Sequence, residues 1–72
     1  MAGSATVYEI HVEGQISQRW SDWFAGLTIT PQTTGETVLR GPLADQAALH
    51  GVLMKIRDLR LVLVSVRRIE VE

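Results

Sequence analysis

The chain has 72 residues, a formal net charge of −1 and no cysteine. A chain of this length forms one domain and buries only about 60% of the surface that its unfolded form exposes, so its stability alone is marginal. Disulfides, thiolate metal sites and cysteine nucleophiles are excluded, which leaves tight packing or a partner chain as the source of added stability.

Charge and hydropathy exclude two classes of function. The chain contains seven Lys and Arg residues and eight Asp and Glu residues, so it lacks the excess of basic residues that is typical of nucleic-acid-binding proteins. No apolar run approaches the roughly 18 residues of a membrane span, and residues 1–6 lack the features of a signal peptide. We expect a cytoplasmic protein without nucleic-acid or membrane partners, with a disordered leader over 1–6 and one domain over 7–72.

The first predicted elements are a strand and a short helix. Residues 7–12 alternate as a strand, which places Tyr8, Ile10 and Val12 on one side and Val7, Glu9, His11 and Glu13 on the other. Ser17 is a candidate N-cap for a helix that ends near Gly26. Its apolar residues recur at helical spacing and must dock on the sheet to stabilise it: Trp20, Trp23, Phe24 and Leu27.

A hairpin and a second helix follow. Residues 27–30 and 36–40 are predicted strands around a Gly-containing turn, and Pro31 favours an edge position because it has no N–H to donate. Asp45 is a candidate N-cap for the second helix. The apolar stripe of that helix comprises Ala48, Leu49, Val52, Leu53, Ile56 and Leu59.

The last predicted strand, residues 61–66, is apolar on both sides. Alternation places Val62, Val64 and Val66 on one side and Leu61, Leu63 and Ser65 on the other, and the tail 67–72 is a candidate extension. A strand that is apolar on both sides needs cover on both sides. A single layer of helices supplies only one, so we expect a second molecule to supply the other.

The order β-α-β-β-α-β is that of the split β-α-β arrangement, and the chain resembles ferredoxin-like domains. This resemblance implies an α+β fold with a four-stranded antiparallel sheet, order 4-1-3-2, and two helices on one face. The strings VEGQISQRWSDWFAGLTIT and LRGPLADQAALHGVLMKIRDL resemble small uncharacterised bacterial proteins. Neither resemblance implies an activity, because this fold hosts many unrelated functions.

Helices on one face leave the other face of the sheet bare. We expect the chain to form a homodimer, as an interaction or ligand-binding module, through this open face or through the edge of the last strand. The predicted interface residues are Val7, Glu9, His11, Glu13, Arg40, Leu61, Leu63, Ser65 and Arg67. The alternative is a small-molecule enzyme or binder whose site forms at the dimer junction around Glu9, His11, Arg40 and Arg67.

Candidate chemistry is sparse. Glu9, His11 and Glu13 share a strand face, but successive side chains start about 6.6 Å apart, so three cannot easily reach one ion. We expect no metal, no cofactor and no catalytic residue, since nucleophile-elbow and phosphate-loop motifs are missing. Trp20 and Trp23 either fill the core or line a ligand pocket, and His11 is a further candidate for ligand binding.

Overall fold

The computed structural model describes residues 6–69. Its elements are β1 (Thr6–Glu13), a 3₁₀ helix (Gln18–Trp20), β2 (Thr28–Pro31), β3 (Glu36–Leu43), α1 (Gln46–Asp58) and β4 (Val62–Ile69). The fold class is α+β, as predicted. Of the predicted leader, only Thr6 lies within the described residues, where it begins β1, and the end of the predicted tail, 70–72, lies outside them.

The four strands form one antiparallel sheet in the order β2-β3-β1-β4. This is the predicted order read from the opposite edge. The connection from β3 to β4 through α1 crosses β1, and the connection from β1 to β2 crosses β3. The central strands are therefore β1 and β3, and β2 and β4 are the edges.

The core lies between α1 and the side of the sheet that carries Tyr8, Ile10 and Val12, which we call the helix side. Those three side chains are buried, as the alternation predicted. They pack with Ile29 and Leu39 from the neighbouring strands and with Leu49, Val52 and Ile56 of α1. The opposite side, which carries Glu9 and His11, is the open face.

α1 begins as predicted. The Asp45 carboxylate accepts a hydrogen bond from the Ala48 N–H at 2.9 Å, which satisfies a donor that the first turn leaves free. Lys55 and Arg57 lie in the last turn, where positive charge is favoured by the helix dipole. Within residues 6–69 no helix is both long and apolar enough to cross a membrane.

The prediction of an α-helix between β1 and β2 is wrong. A 3₁₀ helix and turns stand in its place, so the described residues contain one α-helix instead of two. Ser17 caps only the 3₁₀ helix, and turns follow as far as Gly26. Ala25 and Gly26 both adopt positive φ, 59° and 79°, which reverses the chain before β2. The Ser21 hydroxyl donates to the Leu27 carbonyl at 2.7 Å and holds this turn closed.

Length explains the change from helix to turn. A helix over residues 18–26 would form too few backbone hydrogen bonds to offset the free-energy cost of nucleation. Local hydrogen bonds from side chains to the backbone stabilise a turn instead. As a result the predicted aromatic stripe divides: Phe24 and Leu27 are fully buried, whereas Trp20 and Trp23 are 37% and 41% exposed. The expectation that both tryptophans fill the core is wrong.

β4 departs from simple alternation. β1 pairs His11 with Ser65 and Val12 with Leu63, so Val64 is an extra residue at a β-bulge. Directly opposed residues share a face of the sheet, which places Leu63 on the helix side and Ser65 on the open face. The predicted grouping of Leu63 with Ser65 is wrong, because one inserted residue inverts the period-two pattern.

Candidate functional site

The open face of the sheet forms a concavity of about 610 Å³ across β1, β2 and β3. Its floor includes the apolar side chains of Val7 and Val38. Its polar lining consists of Glu9, His11, Thr28, Thr30, Gln32 and Arg40. A sheet face that is both concave and polar can hold a ligand against the backbone scaffold of three strands.

Strand register arranges the polar residues in rows across the sheet. One row runs Thr28, Arg40, Glu9, Arg67, each opposite the next. The adjacent row runs Thr30, Val38, His11, Ser65, and the third contains Glu36, Glu13 and Val62. The four residues predicted for a junction site, Glu9, His11, Arg40 and Arg67, are thus neighbours within a single chain.

Glu9 and His11 form the centre of a charged network. His11 Nε2 lies 3.2 Å from Glu9 Oε1, within hydrogen-bonding distance, and His11 Nδ1 lies 3.7 Å from Glu36 Oε1. Arg40 Nη1 lies 3.9 Å from Glu9 Oε2, which is an ion pair without a hydrogen bond. The Glu9 side chain is 20% exposed and that of Arg40 is 57% exposed, so the guanidinium is the more accessible charge.

No cation site accompanies this network. Within residues 6–69, no three His, Asp or Glu side chains are grouped so that they could hold a metal ion. Glu13, the third member of the Glu9, His11, Glu13 pattern, is exposed at the end of β1. The side chains that line the concavity can form hydrogen bonds and ion pairs.

The second unusual surface is the edge of β4. Four aliphatic side chains are exposed there: Val62 (56%), Leu63 (46%), Val64 (46%) and Val66 (37%). β4 pairs with β1 alone among the described strands, so one side of its backbone has no strand neighbour. The first half of this eight-residue edge strand is mainly aliphatic, and an exposed aliphatic edge is a template for pairing with another chain.

The structure does not bring the two tryptophans to His11. The Trp20 and Trp23 rings meet edge to face with centroids 6.1 Å apart. Lys55 of α1 lies 5.1 Å from the Trp23 ring centroid and donates a hydrogen bond to the Trp23 carbonyl. This pair therefore belongs to the helix side, whereas His11 lies on the open face.

The predicted interface residues do not form one surface. Four of them line the concavity: Val7, Glu9, His11 and Arg40. Glu13, Ser65 and Arg67 lie on the same face beyond it, Leu63 is on the helix side, and Leu61 packs against the core.

Sequence reasoning missed Thr28, Thr30, Gln32 and Val38 as site residues, and it missed the exposure of Val62, Val64 and Val66. Alternation in β2 already put Thr28 and Thr30 on the open face. The predicted order already placed β4 at an edge of the sheet, and this position could have indicated that its valines are exposed.

Comparison with protein families gives one match. A family model described as a domain of unknown function (DUF8691) covers residues 7–67, from the start of β1 to within β4. No curated protein and no solved structure matches the chain.

Proposed function

We propose that this chain, which belongs to the family described as domain of unknown function (DUF8691), is a self-associating module that pairs with a second copy through the edge of β4. The observation that carries the proposal is the set of exposed aliphatic side chains on that edge strand, Val62, Leu63, Val64 and Val66. Burying apolar surface contributes about 25 cal/mol per Å², so each exposed aliphatic side chain favours association.

A second copy fits this edge by symmetry. A two-fold axis perpendicular to the sheet near Val64 would place β4 antiparallel to the β4 of the second copy, so the exposed aliphatic residues of one strand lie beside those of the other. Such an interface uses the same patch on both subunits, which is the commonest arrangement in homodimers. The outward N–H and C=O groups of the two β4 strands would also become paired.

The shape of the open face favours the edge over face-to-face association. Two concave surfaces placed against each other enclose a void, and atoms lining a void lose their dispersion contacts. The concavity of about 610 Å³ on each copy makes that loss large. A strand edge has no such hollow and can approach a second edge without enclosing a void.

A second candidate role is the binding of a small molecule around Glu9, His11, Arg40 and Arg67. The concavity and the row of charges across it support this role. It does not compete with the first, since the concavity lies on β1, β2 and β3, whereas the proposed interface lies on β4.

The test is the mass of the protein in solution, measured by sedimentation or light scattering over a wide concentration range. We expect twice the 8.0 kDa chain mass for the unchanged protein. Val64→Lys should give the mass of one chain, because a charge in the centre of the interface must be desolvated. Thr28→Lys adds the same charge to the other edge strand and should leave the mass at two chains.

Folding of the variants is checked separately. Val64 is half exposed in the single chain, so Val64→Lys should keep its circular dichroism spectrum and a cooperative thermal transition. A one-chain mass for the unchanged protein at every concentration contradicts the proposal. A two-chain mass for a folded Val64→Lys variant would show that the interface does not lie at the edge of β4.

A further inference from the structure

We propose that the concavity on the open face binds a small organic anion whose carboxylate or phosphate group contacts Arg40. This inference concerns a site separate from the β4 edge and does not depend on self-association. Its volume of about 610 Å³ lies within the roughly 300–1,000 Å³ range of small-molecule sites. Its lining combines the apolar side chains of Val7 and Val38 with six polar side chains that can orient a ligand.

The row of charges at one end favours an anion. Arg40 and Arg67 lie on either side of Glu9, so two positive charges flank one negative charge. Glu9 is the less exposed partner, and its Oε1 already lies 3.2 Å from His11 Nε2. The charges that face solvent at this end are therefore mainly the guanidinium groups.

The guanidinium of Arg40 makes an ion pair with Glu9 but no hydrogen bond to it, so its N–H groups can donate to a ligand. Its Nη1 lies 3.9 Å from Glu9 Oε2, which is longer than a hydrogen bond, and its side chain is more than half exposed. A guanidinium presents planar paired N–H groups that match a carboxylate or a phosphate. Thr28 lies directly opposite Arg40 in β2, where its hydroxyl is placed to donate to the same anion.

The other end of the open face limits the ligand to one anionic group. Glu13 and Glu36 lie opposite each other there, and Glu36 is 3.7 Å from His11. A second negative charge on the ligand would be repelled by these carboxylates. The remainder of the ligand, over Thr30 and Val38, is therefore an uncharged body that accepts a hydrogen bond and contacts a methyl surface.

The experiment is a titration followed by two-dimensional ¹H–¹⁵N NMR, with three probes: sodium acetate, inorganic phosphate and acetamide. Sodium chloride keeps the ionic strength constant, because charge interactions at a surface are screened by salt. We expect saturable shifts at the amides of Thr28, Thr30 and Arg40 with acetate or phosphate. Acetamide, which has the shape of acetate without its charge, should cause much smaller shifts there.

Two arginine variants separate this site from general attraction of anions. Arg40→Gln should weaken binding about 10- to 150-fold, since a hydrogen bond to a charged group contributes about 1.5–3 kcal/mol. Arg57→Gln makes the same charge change on α1, where Arg57 is exposed beside Asp58, and should leave the affinity unchanged. Arg40→Lys keeps the charge without the planar fork and should fall between them.

The relative affinities of acetate and phosphate identify which anionic group the site prefers. Binding should persist in the Val64→Lys variant, because every lining residue belongs to one chain. Shifts that are absent with both anions, equal with acetamide, or unchanged by Arg40→Gln would each overturn the proposal. Dispersed amide spectra of the variants show whether they are folded before any affinity is compared.

Discussion

Gly41 shows how one residue constrains both faces of the sheet. A Cβ at this position would lie 2.9 Å from Leu27 Cδ2, closer than side chains normally approach. Leu27 is fully buried, so it has no free space into which to move. The backbone of Gly41 also borders the concavity on the open face. A glycine is needed here for close packing beneath the site.

We predict that Gly41→Ala lowers the free energy of unfolding by about 1–3 kcal/mol through overpacking. Gly51 in α1 is the matched control, because nothing lies within 4 Å of its Cβ position. Gly51→Ala should raise stability by about 0.5–1 kcal/mol, since alanine loses less backbone entropy in a helix. Urea denaturation of both variants measures the two changes, and equal effects of the same sign would refute the packing argument.

At the scale of elements, the connection between β1 and β2 takes the place of a helix. It covers part of the helix side with one buried aromatic residue, Phe24, and leaves Trp20 and Trp23 on its outer surface. The Gln18 side chain donates a hydrogen bond to the Ile29 carbonyl of β2, and the Ser21 hydroxyl donates to the Leu27 carbonyl within the connection. Its stability therefore depends on Phe24 and on these bonds more than on the tryptophans.

We expect Phe24→Ala to cost about 3–5 kcal/mol, the usual loss for removing a buried aromatic side chain. Trp23→Ala should cost about 1 kcal/mol or less, because its ring is partly exposed and its main polar contact is a cation–π interaction with Lys55. Thermal unfolding followed by circular dichroism distinguishes the two. A larger loss for Trp23→Ala would mean that the tryptophan supports the core after all.

At the scale of the whole molecule, stability and assembly are linked. A chain of 72 residues is expected to have a stability of only about 4–11 kcal/mol. Its sheet leaves four aliphatic side chains of β4 half exposed. A second copy that covers them stabilises the folded state by mass action.

We therefore predict that the Tm of the unchanged protein rises with protein concentration. In Val64→Lys the Tm should be lower and independent of concentration, because the proposed interface is lost. Differential scanning calorimetry at several concentrations makes the comparison, with Thr28→Lys as the variant that retains the concentration dependence. A constant Tm for the unchanged protein would argue that β4 is stable without a partner.

Local patterns were sufficient to predict much of the fold and part of the site. Alternation placed Tyr8, Ile10 and Val12 in the core, and it placed Glu9 and His11 together on the open face. The Asp45 cap and the apolar stripe predicted α1, and the resemblance to ferredoxin-like domains implied the sheet order. Each of these depends on residues close in sequence or on the order of the elements along the chain, so one sequence contains the information.

The remaining features depend on contacts between distant residues. The spacing of Trp20, Trp23 and Phe24 is that of a helix, but the structure forms no α-helix there. Which of these aromatic side chains is buried depends on the space between the connection and the sheet. The bulge at Val64 arises from the pairing of β4 with β1, so the period of β4 alone cannot reveal it. The concavity requires curvature shared by three strands, whose register places Arg40 between Thr28 and Glu9. The sequence by itself determined the strands, α1 and the two faces of β1, because those follow local periodicity. Tertiary structure decided the turn, the bulge with the faces of β4, and the shape of the open face, because those depend on which distant residues meet.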